Sequence, residues 1–161
     1  MLTVGILTIS DKGARGQRYD ESGQTIRDIF SDLGSDIVHY GIVPDEMDVI
    51  RQKLSEWADG GDTDVIITTG GTGLARRDVT PEATVAVVDR IVPGFAEAMR
   101  ASSLSKTPMA MLSRATAGVR GRSLIINLPG SPRAVRECLE VVLPAIPHAV
   151  DIVKGVVTEH S

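Results

Sequence analysis

Aromatic residues make up only 3% of this 161-residue chain, with one tryptophan, two tyrosines and two phenylalanines, so its core must be built from Val, Ile, Leu and Ala. Cys138 is the single cysteine, which excludes an intramolecular disulfide and any multi-cysteine metal centre and fits a reducing, cytoplasmic compartment. The three histidines, His39, His148 and His160, are scattered without metal-ligand spacing. Basic charge is also scarce: a net charge of -4 and a pI near 5.3 argue against a nucleic-acid binder working through a broad basic face. No apolar run reaches the ~18 residues of a membrane span, and Met1 leads into a strand-like run without a basic n-region, so a protein that is neither exported nor membrane-bound is expected.

What is present is an ordinary globular composition, 42% hydrophobic and 24% charged, with no internal repeat and no low-complexity run. The length fits one domain, 1–161, with 155–161 expected as a frayed tail. Apolar runs at Val4–Ile9, Asp36–Val43 and Val65–Thr69 read as strands, and each is followed by residues at helical spacing. Ile26, Ile29, Phe30 and Leu33 mark a helix from Ser22 that Gly34 closes, while Met47, Ile50, Leu54 and Trp57 mark another. A third runs from Pro81 through Val85, Val88 and Ile91, with a further piece after Gly94. Segment 101–113 reads as a loop or helix-loop stretch. Ala115–Val119 and Ser123–Leu128 flank Arg120-Gly121-Arg122 as a hairpin, and a kinked helix carries Val135, Cys138, Leu139 and Val142. Cys138 on that apolar face reads as a core residue and not a nucleophile. Alternation of this kind predicts an α/β three-layer sandwich, a mainly parallel sheet with helices on both faces.

Parallel strands would bring the turns that follow them to one sheet edge, where open α/β folds bind ligands. That edge would gather Ser10-Asp11, Asp45, the stretch Thr68–Pro81 and Pro129-Gly130-Ser131. Thr68–Pro81 is the densest in chemistry. Gly70, Gly71 and Gly73 let a ligand approach the backbone, Thr80-Pro81 reads as a helix N-cap and first residue, Arg76 and Arg77 suit phosphates, and Asp78 suits Mg²⁺. Neither a dinucleotide fingerprint nor a Walker loop fits: Arg76 stands where the former needs its last Gly or Ala, and no Gly-Lys-Ser/Thr follows. As a bare pattern the glycine loop suits a structural turn as well as an anion cradle. Spacing alone favours Asp45 as a helix N-cap and Asp11 as a turn residue. Ser113-Arg114 could supply a hydroxyl and a cation to a phosphate, though Arg114 reads equally as a surface charge.

Taken together, SDKG after the first strand, PDE after the second, TTGGTGLARRDVTPEA and NLPGSP resemble, in order and over nearly the whole chain, the molybdopterin adenylyltransferases of the MogA type, found also in the gephyrin G domain. The resemblance implies a MoaB/MogA-like fold and a homotrimer that transfers AMP from Mg-ATP to the terminal phosphate of molybdopterin, before hand-over to a molybdenum insertase. It implies Asp45 and Asp78 as essential carboxylates holding Mg²⁺. Ser10, Asp11, Thr69, Gly70, Gly71, Thr72, Gly73, Arg77, Ser113, Arg114, Pro129, Gly130 and Ser131 would then bind ATP and pterin. The alternatives are a non-catalytic molybdopterin carrier of MoaB type and a generic nucleotide-binding module. Leu74 departs from the family, where proline often stands.

Overall fold

Every second residue of the first strand points to the same side, and this sorts the apolar side chains into two cores. In the computed structural model, which describes residues 1–157, β1 (Thr3–Ile9) sends Val4 and Ile6 into a larger cluster and Leu7 and Ile9 into a smaller one. β3 (Val65–Thr69) and β6 (Ser123–Leu128) divide likewise, with Val65, Ile67, Leu124, Ile126 and Leu128 on the first side and Ile66 and Ile125 on the second. Strands buried on both faces read as continuous apolar runs, which is why these are legible in the sequence.

The sheet has six strands in the order β2-β1-β3-β6-β5-β4, where β2 is Asp36–Val43, β4 Arg90–Ile91 and β5 Ala117–Arg120. β2, β1, β3 and β6 run parallel, and β5 is antiparallel to both β6 and β4. The chain also forms α1 (Asp11–Ala14), α2 (Glu21–Asp32), α3 (Met47–Asp59), α4 (Thr80–Val87), α5 (Pro93–Leu104), α6 (Pro132–Val142) and α7 (Ile146–Val153). α2, α5, α6 and α7 pack in the larger cluster, and α3 and α4 in the smaller, so the expected three-layer arrangement is present. Trp57 of α3 fits over the sheet because β1 and β2 offer glycines there: a Cβ on Gly5 would lie 3.0 Å from its ring and one on Gly41 3.4 Å. His39 stacks on the same indole at 5.0 Å between centroids.

The expected third helix is corrected, and local detail is added at three other segments. The helix from Pro81 ends at Val87, and Ile91 lies in β4, because Asp89 and Val92 donate their N–H groups to Val119 and Ala117 at 2.7 and 2.9 Å and extend the sheet instead. Gly118 makes room, since a Cβ there would stand 2.7 Å from the Arg90 carbonyl. Segment 101–113 is the helix-loop stretch of the expectation: α5 continues through Leu104, and a 3₁₀ turn spans Pro108–Leu112 under a Thr107 cap. Asp11–Ala14 forms one helical turn, with the Ser10 hydroxyl accepting the Gly13 N–H at 3.0 Å. At the start of the expected tail, Gly155, at a φ of 77°, donates its N–H to Ile152, and Val156 donates to Asp151, both at 3.0 Å. The remainder of the expected tail, 158–161 with His160, lies outside the described residues.

Candidate functional site

The first crossover, through α2, carries the chain from β1 to β2 on one side, and the second, through α3, returns it to β3 on the other. This reversal opens a crevice beyond the carboxyl ends of β1 and β3, where doubly wound sheets place their ligands. A cleft of about 600 Å³ lies there. Its walls include Thr8–Ser10 from β1, Asp45 beyond β2, Thr69–Gly71 beyond β3, Asp78 before α4, and Gly130–Pro132 beyond β6.

Asp45 and Asp78 share the glycine-loop wall. Asp45 accepts the Asp11 N–H at 2.9 Å, and the Asp11 carboxylate accepts the Asp45 N–H at 3.0 Å. Asp45 therefore caps no helix; α3 begins after Glu46, which makes no side-chain cap. Burial raises the Asp45 pKa above the ordinary carboxylate value, opposed by the Asp11 N–H and reinforced by the nearby charges of Asp11 and Asp78. A partly buried carboxylate crowded by two others is an environment that a cation would relieve. Asp78 turns back on its own loop, its carboxylate accepting the Ala75 N–H at 3.0 Å.

Gly70 and Gly71 bend the chain out of β3 with φ of 96° and 69°, conformations costly to any residue with a Cβ. At Gly70 a Cβ would lie 2.4 Å from the Ile9 carbonyl, and at Gly71 2.3 Å from the Thr80 hydroxyl. Thr80 is the first residue of α4 and not its cap. Its hydroxyl donates to the Gly70 carbonyl at 2.9 Å and its N–H to the Gly71 carbonyl at 3.1 Å, while Val79 occupies the cap position. The Gly70 N–H is already bonded to the Leu128 carbonyl, at 3.3 Å.

The structure thus brings Ser10, Asp45, Thr69, Gly70, Gly71, Asp78, Gly130 and Ser131 to one cleft, and sets the other candidates behind or beside it. Asp11 pairs with Arg77, Nε at 2.6 Å and Nη2 at 2.9 Å, and this guanidinium, with the Asp45 N–H, holds the Asp11 carboxyl down to about 2. Arg77 is therefore tied to Asp11, away from the cleft wall. Thr72 is buried and turned inward, with its carbonyl accepting the Arg114 N–H at 2.8 Å. Gly73 accepts from Arg114 Nε at 2.8 Å. Ser113 and Pro129 line a separate apolar cavity of about 220 Å³ beside Met99 and Cys138. The Pro129 carbonyl does join the site indirectly, accepting the Thr69 hydroxyl at 2.6 Å. Cys138 is buried, and that burial pushes its thiol pKa up, in keeping with a packing role.

The opposite wall, Arg18–Ser22, is not among the residues the sequence singles out. Asp20 caps α2, accepting the Gly23 N–H at 3.0 Å, and also accepts the Thr8 hydroxyl at 2.8 Å and the Tyr40 hydroxyl. Burial, then the Asp20 contact, pushes the Tyr40 phenol well up from its usual range. Ser22 donates to the Gly130 carbonyl and closes the floor. A signal for this wall does exist: Asp20-Glu21-Ser22-Gly23 just ahead of Ile26, Ile29 and Phe30 is a helix-start pattern.

Among the described residues no group of three or more His, Cys, Asp or Glu is arranged to hold a metal ion. A pair of carboxylates nevertheless fits Mg²⁺, which keeps several waters and is bound through one or two carboxylates together with substrate phosphates.

A family model described as "Probable molybdopterin binding domain" matches residues 5–148. The molybdopterin adenylyltransferase of Helicobacter pylori strain J99 is 49% identical over 154 residues, covering 94% of this chain and 88% of that protein. The molybdopterin adenylyltransferase of Escherichia coli K12 is 42% identical over 146 residues, covering 89% and 75%. Among solved structures, the molybdopterin biosynthesis enzyme MoaB of Thermus thermophilus superposes with a TM-score of 0.90 at 55% identity, covering 96% of this chain and 98% of its own. Matched over most of its length by sequence and by fold, the chain belongs to the molybdopterin-binding domain family.

Proposed function

We infer that this protein is a molybdopterin adenylyltransferase of molybdenum cofactor biosynthesis, transferring AMP from ATP to the terminal phosphate of molybdopterin. The observation that carries the reading is the pairing of Asp45 and Asp78 across the glycine loop in one cleft, in a chain whose curated relatives bear that name. A phosphate-monoester oxygen of the pterin attacks the α-phosphorus of ATP. The new P–O bond forms as the bond to the β-phosphate bridging oxygen breaks, and pyrophosphate leaves with that electron pair. The nucleophile is already ionised near neutral pH, so no histidine or lysine base is required; the obstacle is aligning two polyanions.

The chain's own contribution is positional and electrostatic. Gly70 and Gly71 bend the chain out of β3, the room of their missing Cβ atoms being taken by the Ile9 carbonyl and the Thr80 hydroxyl, and with Ser10, Thr69, Gly130 and Ser131 they line the wall that phosphates would meet. Ser131 keeps its hydroxyl on the Ala134 N–H at 3.2 Å, so the start of α6 faces the cleft already capped. Asp45 and Asp78 would hold Mg²⁺, which when bound neutralises phosphate charge and stabilises the leaving pyrophosphate. Asp11 and Arg77 support Asp45 from behind; Thr72, Gly73, Ser113, Arg114 and Pro129 support the loops. The resemblance to MogA supports a homotrimer and hand-over of product to a molybdenum insertase. A cytoplasmic location accords with the single free cysteine, and no described helix is long and apolar enough to cross a membrane.

Incubation with molybdopterin and Mg-ATP tests the reading. Pyrophosphate release that depends on the pterin is expected, with adenylyl-molybdopterin as the second product. Pterin binding without pyrophosphate release would identify a carrier instead and overturn the assignment.

A further inference from the structure

Asp78 can act on a ligand only if the short turn that bears it holds still, and that turn has few internal restraints. Asp78 donates its N–H to Ala75 at 2.9 Å and accepts the Ala75 N–H on its carboxylate at 3.0 Å. Leu74, Ala75, Arg76 and Arg77 are all exposed, so no apolar burial anchors the tip. Two guanidinium groups tie the turn to the rest of the molecule: Arg77 reaches out from it to Asp11, and Arg114 closes its base from outside. Arg114, entering from the segment before β5, donates Nε to the Gly73 carbonyl at 2.8 Å and Nη2 to the Asp78 carbonyl at 2.7 Å, with Nη1 on Glu82 of α4. Its main-chain N–H adds a bond to Thr72 at 2.8 Å. One planar guanidinium thus spans both ends of the turn and the helix that follows it, and it does so without lining the cleft.

We propose that Arg114 is a positioning residue for Asp78: it clasps the 73–78 turn so that the Asp78 carboxylate is presented to the cleft, and it does not itself touch the nucleotide. A lysine cannot reproduce this, because an ammonium has no rigid fork to bridge two carbonyls and a carboxylate at once. Groups that orient metal-binding carboxylates usually matter 10–100-fold for metal affinity. The proposal rests on the reading that Asp78 holds the cation, but the clasp itself can be observed without turnover.

The test compares the full-length protein with Arg114→Lys and Glu82→Gln. Hydrogen exchange at the Ala75 and Asp78 amides is followed first. Mn²⁺ half-saturation is then measured by electron paramagnetic resonance with ATP and no pterin, and last the KM for ATP at saturating Mg²⁺. For Arg114→Lys the two amides should exchange at least about tenfold faster and Mn²⁺ half-saturation should rise about 10–100-fold, while the ATP KM stays within about twofold. Glu82→Gln should move exchange and Mn²⁺ the same way by less. A raised ATP KM with unchanged exchange and Mn²⁺ binding would show that Arg114 grips the nucleotide directly and would overturn the proposal. If Arg114→Lys fails to fold, unchanged exchange and Mn²⁺ binding in Glu82→Gln overturns it equally. Failure of the wild-type protein to release pyrophosphate would remove the proposed activity, whereas exchange at Ala75 and Asp78 would still decide the clasp.

Discussion

Asp11 and Asp45 exchange hydrogen bonds, each carboxylate accepting the other's main-chain N–H, at 2.9 and 3.0 Å. The turns after β1 and β2 are thereby locked together across 34 residues of sequence. Arg77 closes the arrangement from the third turn by its two contacts to Asp11.

Removing that guanidinium has a pH signature. The Asp11 carboxyl is held at about 2 against an ordinary 3.8, so its contribution to stability is complete above the ordinary value and is lost as pH falls through about 2. Arg77→Met should therefore lower the melting temperature at pH 7, and the gap from wild type should close near pH 2. A gap unchanged across that range would mean that the pair is not what the residue contributes.

Asp45→Asn should separate stability from activity. Its folded pKa is raised, so the ionised form is penalised: the stabilising contribution is present below the ordinary 3.8 and is lost as pH rises through the folded value. The amide keeps an oxygen for the Asp11 N–H and removes the crowded charge. A gain in melting temperature is expected at about pH 7, reduced by solvent screening at this half-buried position and fading at about pH 3, below the ordinary 3.8. Turnover should fall about 10²–10³-fold. Calorimetry at the two pH values and pyrophosphate release check both halves.

Two glycines in the same backbone region should respond differently to alanine. Gly34, at φ 80°, would have nothing within 4 Å of an added methyl, so Gly34→Ala costs only left-handed strain, about 1 kcal/mol. Gly70→Ala meets the immovable Ile9 carbonyl at 2.4 Å and must push β3 from β1, so it should cost about 3 kcal/mol or more. Urea denaturation of the pair gives the difference.

Asn127 is wholly buried in β6 and fully used. Its amide nitrogen donates to the Thr68 and Thr84 hydroxyls, both at 3.0 Å, and its oxygen accepts the Thr116 N–H at 3.2 Å. Asn127→Leu strands the Thr116 N–H beside the sheet, and a loss of about 1–3 kcal/mol is expected in chemical denaturation.

Legibility follows the range of the forces involved. Apolar periodicity places β1, β2, β3, β6 and the principal helices, because burial on a sheet face or helix stripe is written in neighbouring residues. β4 is invisible in the sequence because Arg90 and Ile91 are exposed and carry no pattern; their strand exists through bonds made to β5. Asp45 shows the same limit at the site. Its local signal is that of a helix cap, while its actual partner lies 34 residues away. Arg114, which reads as a phosphate ligand or a surface charge, proves to bond two carbonyls and Glu82, none of them near it in sequence. The resemblance to MogA supplies what spacing cannot, singling out Asp45 and Asp78, and both do face the one cleft.

The two core clusters also divide the cleft itself. Asp45 and Asp78 lead into α3 and α4, which pack around Trp57, Leu54 and Val87, whereas Asp20 and Ser131 cap α2 and α6, which pack with Phe30 and Val135. The site is a seam between two separately packed layers, each contributing two helix starts and carboxylates, Asp45 and Asp78 on one lip and Asp20 and Glu21 on the other. Each lip therefore rests on its own core, so a packing defect beneath α3 or α4 reaches the cleft from the Asp45 and Asp78 side first.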